Sequence, residues 1–213
     1  MSEFSRVWSW VKTLEPGHAK PLVVPPAPAA PAASVAGPDV EPAVTQFDAS
    51  LIEVLKWEGG LDDDPQDPGG RTAYGITQTD WNEWCTEHAV AHTDVWTIDA
   101  EHTRYVYADH YWKPLLCDGL HPATANCLFD YAVNSGRHQA IKDGQRVAGV
   151  TPDGVIGPAT VAAFKRITPH EFIVGLSQRR LSLLRGLATW DRFGHGWSAR
   201  VAGVQAYSLS LIK

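Results

Sequence analysis

LKWEGGLDDDPQDPGGRTAYGIT, residues 55–77, gathers one glutamate, four aspartates and five glycines around two prolines. Upstream of it, Leu51, Ile52, Leu55 and Trp57 recur at helical spacing, and Asp48 stands where an N-cap is expected. Gly59-Gly60 is a helix stop, so this reading puts Glu58 in the last turn of the helix. A helix C-terminus and an aromatic neighbour both favour the protonated form of a carboxyl group. A carboxyl group that keeps its proton is what a general acid needs, and glycosidic bonds are cut by such an acid working with a second carboxylate or a positioned water. The loop beyond offers Asp62, Asp63, Asp64 and Asp67 for the second role. Asp67-Pro68-Gly69-Gly70 has turn chemistry able to fold Asp67 back toward Glu58. The plainer reading of the same residues is a solvated acidic loop; they do not match the D-x-[DN]-x-[DN]-G pattern of a calcium site. Residues 72–77, TAYGIT, are strand-like but too few to form much sheet.

Working outward, helical patterns cover residues 78–89, 99–112, 122–135 and 137–149. The turn TPDGVIGP, residues 151–158, opens a helix running through Lys165. Pro169 suits the first turn of a helix reaching about Trp190, and a last helix is expected from Ser198 to Ile212. The chain is therefore expected to be mainly α, with a minor β element near the acidic loop. Residues 21–45 hold seven prolines and seven alanines among 25 positions, too little apolar bulk to form a core, and read as a linker. Before it, Phe4, Val7, Trp8, Val11 and Leu14 form a short aromatic segment at helical spacing, a candidate for peripheral docking on a membrane, a capsid or another protein, with docking on the body of the protein or disorder as the alternatives. The expected organisation is an aromatic segment (1–20), a linker (21–46), a catalytic region (47–136) and a helical C-terminal region (137–213).

Composition narrows the function classes. With 44% hydrophobic residues and nine tryptophans the chain can build a sizeable core, yet no run of about 18 apolar residues reads as a membrane span. Residues 47–136 carry 4 Lys/Arg against 16 Asp/Glu, a balance of −12, whereas residues 137–213 carry 11 against 4, or +7. This division argues against one broad nucleic-acid surface, while the basic part suits an anionic polymer. Cys85, Cys117 and Cys127 are odd in number and widely spaced, which points to reduced, buried thiols. His88 and His92 have the spacing of a zinc pair but lack an HExxH context, so no metal and no cofactor are expected. The first twenty residues lack the apolar core and cleavage site of a secretory signal. Synthesis in the cytoplasm with holin-type release to the periplasm and wall, or carriage on a virion, is the expectation that follows.

The residues 57–77 resemble the opening motif of glycoside hydrolase family 108, bacterial and phage N-acetylmuramidases with a lysozyme-like fold: Glu-Gly-Gly, then Asp-Pro-Gly-Gly, then Thr-x-x-Gly-Ile. Tyr111-Trp112-x-Pro114, Phe129 through Gly136, Asp153 through Pro158, and Trp190, Phe193-Gly194-x-Gly196-Trp197 and Arg200 continue the likeness. It extends over about residues 47–213. The resemblance implies that Glu58 is the catalytic acid. More distantly, the stretch is similar to phage lysozymes in which Glu, eight residues, Asp, five residues and Thr follow one another. Glu58 and Asp67 keep the first gap, but Thr72 comes one residue early and Ala73 holds its place.

What the resemblance implies is an endolysin-type hydrolase that cuts the β-1,4 bond between N-acetylmuramic acid and N-acetylglucosamine in peptidoglycan and works as a monomer. Tyr74 and Trp197 are candidates to stack on sugar rings, with core packing as the alternative. Asn134 and Ser135 are candidates to hydrogen-bond a sugar, with a helix C-cap as the alternative. The turn at residues 151–158 resembles a motif of helical peptidoglycan-binding modules, or serves only to build the domain. A non-catalytic wall-binding or virion protein and a lytic transglycosylase are the competing functions.

Overall fold

The computed structural model describes residues 44–62 and 71–213, with only the backbone of Asp62. The aromatic segment, the linker through residue 43, and Asp63, Asp64 and Asp67 lie outside the described residues. The helices are α1 (Gln46–Leu55), α2 (Gln78–Glu87), α3 (Ala100–Tyr107), α4 (Pro122–Ser135), α5 (Arg137–Val147), α6 (Pro158–Arg166), α7 (Pro169–Arg185) and α8 (Trp190–Ser210). The strands β1 (Leu61–Asp62), β2 (Thr72–Ala73) and β3 (Ile76–Thr77) are two residues each. The chain is thus mainly α with a minor β element beside the acidic stretch. Among the described residues, no helix is long and apolar enough to cross a membrane.

Two compact units emerge, and neither is a continuous stretch of chain. One holds Glu58–Val106 with the described residues through Asp48; the other holds Ala49–Trp57 and Tyr107–Lys213. In the first, β1, β2 and β3 pair antiparallel in that order, with Leu61 opposite Ala73, Thr72 opposite Thr77 and Ala73 opposite Ile76. Tyr74 and Gly75, at φ 52° and 76°, make the two-residue turn between β2 and β3. Positive φ at both positions is the demand of a type I′ hairpin, whose twist matches that of its strands. Thr77 then caps α2 by accepting from the Asp80 N–H at 3.0 Å. That helix buries Trp81, Trp84 and Cys85. Gln78 holds the following loop, donating to the Thr93 carbonyl at 2.9 Å and accepting from the Val95 N–H at 2.8 Å.

The second unit is built around α4. Ten consecutive residues of it, Ala123 through Ala132, are buried. A helix buried all round must be enclosed by others, and α5, α7 and α8 supply the enclosure. Two of its polar residues, Asn126 and Asp130, are each only 1% exposed. Before α4, α3 runs into a π turn over Ala108–Trp112, where the Lys113 N–H reaches the Ala108 carbonyl at 2.9 Å.

Several boundaries differ from those read in the sequence. Asp48 is not the N-cap of α1 but its third residue. Its N–H donates to Thr45 Oγ1 at 3.1 Å while the Thr45 N–H donates to Asp48 Oδ2 at 3.2 Å, a capping box. Helix α7 stops at Arg185, and Trp190 starts α8 rather than ending α7. The start of α8 was hidden by Gly194 and Gly196, poor helix formers. Gly194 is needed there, because a Cβ would stand 2.7 Å from the Trp190 ring. The cysteines follow expectation: Cys85, Cys117 and Cys127 are free and buried.

Candidate active site

Glu58 lies in a bend, three residues past the last residue of α1 and before β1. The expectation of a place in the last helical turn is corrected. Leu55 ends the helix because the chain turns at Lys56 and Trp57, where the Trp57 N–H bonds the Val54 carbonyl at 2.9 Å in place of continuing the i→i−4 ladder. The half-buried Glu58 is followed by Gly59 and Gly60, beside which a Cβ would meet nothing within 4 Å.

The same unit holds Thr72 and Tyr74. Thr72 sits in β2 between Asp62 and Thr77, and its carbonyl accepts from Trp96 Nε1 at 3.0 Å. The Arg71 guanidinium carbon lies over the Trp96 ring, 3.8 Å from its centroid, and Arg71 pairs with Asp94 at 3.1 Å. Arg71 and Trp96 therefore brace β2 beside the segment that carries Glu58. Neither stood out in the sequence, since 24 residues separate Trp96 from its partner Thr72. Tyr74 is only 6% exposed, and its N–H donates to the Gly60 carbonyl at 3.0 Å. Its backbone ties the hairpin to the Glu-Gly-Gly bend while its ring packs inward. Asp67 lies outside the described residues.

Asn134, Ser135 and Trp197 belong to the other unit. Asn134 Oδ1 accepts from Arg180 Nη2 at 2.9 Å and from Ser135 Oγ at 3.1 Å. Arg180 also donates to Asp130 at 2.6 Å, and Arg200 reaches the same carboxylate at 3.0 Å. The end of α4 is thus held by a buried Asp130–Arg180–Arg200 cluster, and Gly136 follows as C-cap at φ 85°. Trp197 packs against Phe193 at 5.6 Å and Trp190 at 6.3 Å between ring centroids. A second buried carboxylate, Asp143, receives Tyr131 Oη at 2.6 Å, Gln139 Nε2 at 2.9 Å and Arg146 Nη1 at 2.8 Å. Burial works to raise its titration, but these donors outweigh it and hold the carboxyl below the usual carboxylate range. Burial, with the bond to Asp143, drives the Tyr131 phenol upward in turn.

The turn at residues 151–158 is organised from inside by Gln145. Its Nε2 donates to Asp153 at 2.7 Å and to the Val155 carbonyl at 3.0 Å, and its Oε1 accepts the Gly154 N–H at 2.9 Å. His88 and His92 lie beyond the end of α2, His88 against the Trp84 carbonyl and His92 against Thr86 Oγ1. Among the described residues, no three His, Cys, Asp or Glu side chains are placed to hold a metal.

The sequence profile of the family described as Glycosyl hydrolase 108 matches residues 51–136, a span containing Glu58, Asp67, Thr72, Tyr74, Asn134 and Ser135 but not Trp197. The solved structure of Brucella abortus SagA is similar at 34% identity and a TM-score of 0.70, over 78% of this chain and 94% of SagA. No protein of curated function matches the chain. The fold is mainly α and lysozyme-like. With a likeness of that identity and extent, and the family profile lying over the Glu-Gly-Gly segment, this chain belongs to glycosyl hydrolase family 108.

Proposed function

We propose that this glycoside hydrolase cleaves the β-1,4 bond between N-acetylmuramic acid and N-acetylglucosamine in peptidoglycan, with Glu58 as proton donor. The observation that carries this reading is the family match over the segment holding Glu58. In the reaction, the Glu58 carboxyl gives its proton to the leaving glycosidic oxygen as the C1–O bond breaks. Asp67 stabilises the developing oxocarbenium ion or orients the incoming water, which supplies the new bond at C1 and returns a proton to solvent. Thr72, in β2, is the third candidate of the site, one residue early for the phage-lysozyme spacing. The +7 balance of residues 137–213 supports contact with an anionic wall polymer.

The test is digestion of purified peptidoglycan by wild type and by Glu58→Gln, with products read by mass spectrometry. Wild type should release muropeptides with reducing N-acetylmuramic acid ends, and Glu58→Gln should release none while melting at the wild-type temperature. Anhydromuramic ends would assign a transglycosylase instead, and an active Glu58→Gln would end the assignment of the acid.

A further inference from the structure

Within the unit that holds Glu58–Val106, the backbone just beyond Glu58 is fastened to β2. Gly59 and Gly60 bring no side chains to that stretch. The Gly60 carbonyl accepts the Tyr74 N–H at 3.0 Å, and Leu61 pairs with Ala73. The place of the bend therefore follows the place of β2. That strand is two residues long, and so short a ladder is marginal by itself.

Two consecutive carbonyls at the entry to β2 are held by groups from elsewhere in the unit. The Arg71 carbonyl accepts the Gln78 N–H at 2.9 Å, and the Thr72 carbonyl accepts Trp96 Nε1 at 3.0 Å. Asp94 joins the two sides: its Oδ2 pairs with Arg71 Nη2 at 3.1 Å, and its Oδ1 accepts the Trp96 N–H at 3.0 Å. Arg71 in turn lies over the Trp96 ring, and Gln78 Oε1 accepts the Val95 N–H at 2.8 Å. The Arg71 and Asp94 side chains are 37% and 41% exposed, where an ion pair adds little to stability. What these converging contacts supply is position, and a displacement of about 1 Å between reacting groups can cost about a hundredfold in rate. We infer that Trp96, with Arg71 and Asp94 set around it, is a positioning residue for the hydrolytic step. It fixes β2 and, through the Gly60–Tyr74 bond, the bend that carries Glu58. This rests on the reading that Glu58 is the proton donor.

The test is steady-state hydrolysis of soluble, uncross-linked peptidoglycan strands by the full chain, with amide hydrogen exchange on the same protein. Trp96→Phe keeps an aromatic ring under Arg71 and loses the indole N–H. It should lower kcat per folded molecule about tenfold, leave KM within about twofold, and change the melting temperature little. Exchange of the Tyr74 N–H should quicken about tenfold, while the His88 N–H, bonded to the Trp84 carbonyl at the end of α2, exchanges as in wild type. Arg71→Met should lower kcat about fivefold, and Arg71→Lys, which restores a cation over the indole, should return it to within about twofold of wild type. Should Trp96→Phe not fold, the exposed Arg71 pair decides on the same readouts. Unchanged kcat per folded molecule, a loss confined to KM, or unchanged exchange at Tyr74 would overturn the proposal. Activity that falls only with the folded fraction would make Trp96 a packing residue and overturn it too. An active Glu58→Gln would remove the proton donor and with it the kinetic half of the proposal, a failure told apart from the others by Tyr74 exchange that still responds to Trp96→Phe.

Discussion

Asp130→Asn should be among the most damaging single changes this chain can take, although it alters only one oxygen. The Asp130 side chain is 2% exposed and lies between the guanidinium groups of Arg180 and Arg200, themselves 4% and 8% exposed. With the carboxylate gone, two buried cations lose the counter-charge that they share. Removing one partner from a buried ionic cluster costs about 3–5 kcal/mol, because the remaining charges stay desolvated. At about 2–4 °C per kcal/mol for a domain of this size, the melting temperature should fall by roughly 6–20 °C. Circular dichroism melts at pH 7, with urea titrations alongside, would read the change well away from carboxylate titration. The triple change Asp130→Leu, Arg180→Met, Arg200→Met should recover most of the loss, since an apolar filling of similar volume removes the desolvation cost too. A loss below about 1 kcal/mol in Asp130→Asn, or a triple variant no better than the single one, would refute the reasoning.

Three further outcomes are expected. Asp67→Asn should lower turnover by about two to four orders of magnitude with the fold intact; a rate within a few-fold of wild type would move the role to Asp62, Asp63 or Asp64. The Asp143 carboxyl is held below its unfolded value, so its stabilisation is present above about pH 4 and is lost as pH falls through the folded value. Asp143→Asn should therefore be less stable at pH 7 and show a flatter decline below about pH 4 in urea titrations, and an acid limb parallel to wild type would contradict this. A chain beginning at Val44 should digest purified peptidoglycan at close to the full-length rate, and loss of most activity on soluble glycan fragments would show that the preceding residues contribute to catalysis.

Much of the helical framework can be read from the residues because its signals are local. Pro122 at the start and Gly136 at the end delimit α4, and Thr168, Pro169 and Glu171 announce α7 through a capping box. The start of α8 was misread where a packing partner overrides local preference: Gly194 argues against a helix until the Trp190 ring is seen against it. Tyr74, a candidate to stack on a sugar ring with core packing as the alternative, is 6% exposed, and the hairpin turn and the Gly60 carbonyl fix its backbone. The Glu-Gly-Gly segment that the family profile matches stands out in the sequence, whereas the place of Glu58 beyond the helix depends on where the chain turns at Lys56 and Trp57. The Arg71–Trp96 brace and the Asp130–Arg180–Arg200 cluster were not legible: their members are up to 70 residues apart, and nothing in the sequence links them.

The three interior sulfurs bear on where such a protein can work. Burial pushes all three thiols upward, Cys127 to about 12, so almost no thiolate is present to react at neutral pH. An oxidising compartment converts thiols through their thiolates, and a folded molecule with these cysteines offers it nothing to attack. Redox inertness is therefore a property of the intact packing rather than of the composition. Once the helices separate, the same atoms become free alkylation targets, so labelling by iodoacetamide over hours reports the rate at which whole molecules open. Each sulfur thus serves as an internal clock: Cys85 timing the unit that contains Glu58, and Cys117 and Cys127 timing the helical unit around α4.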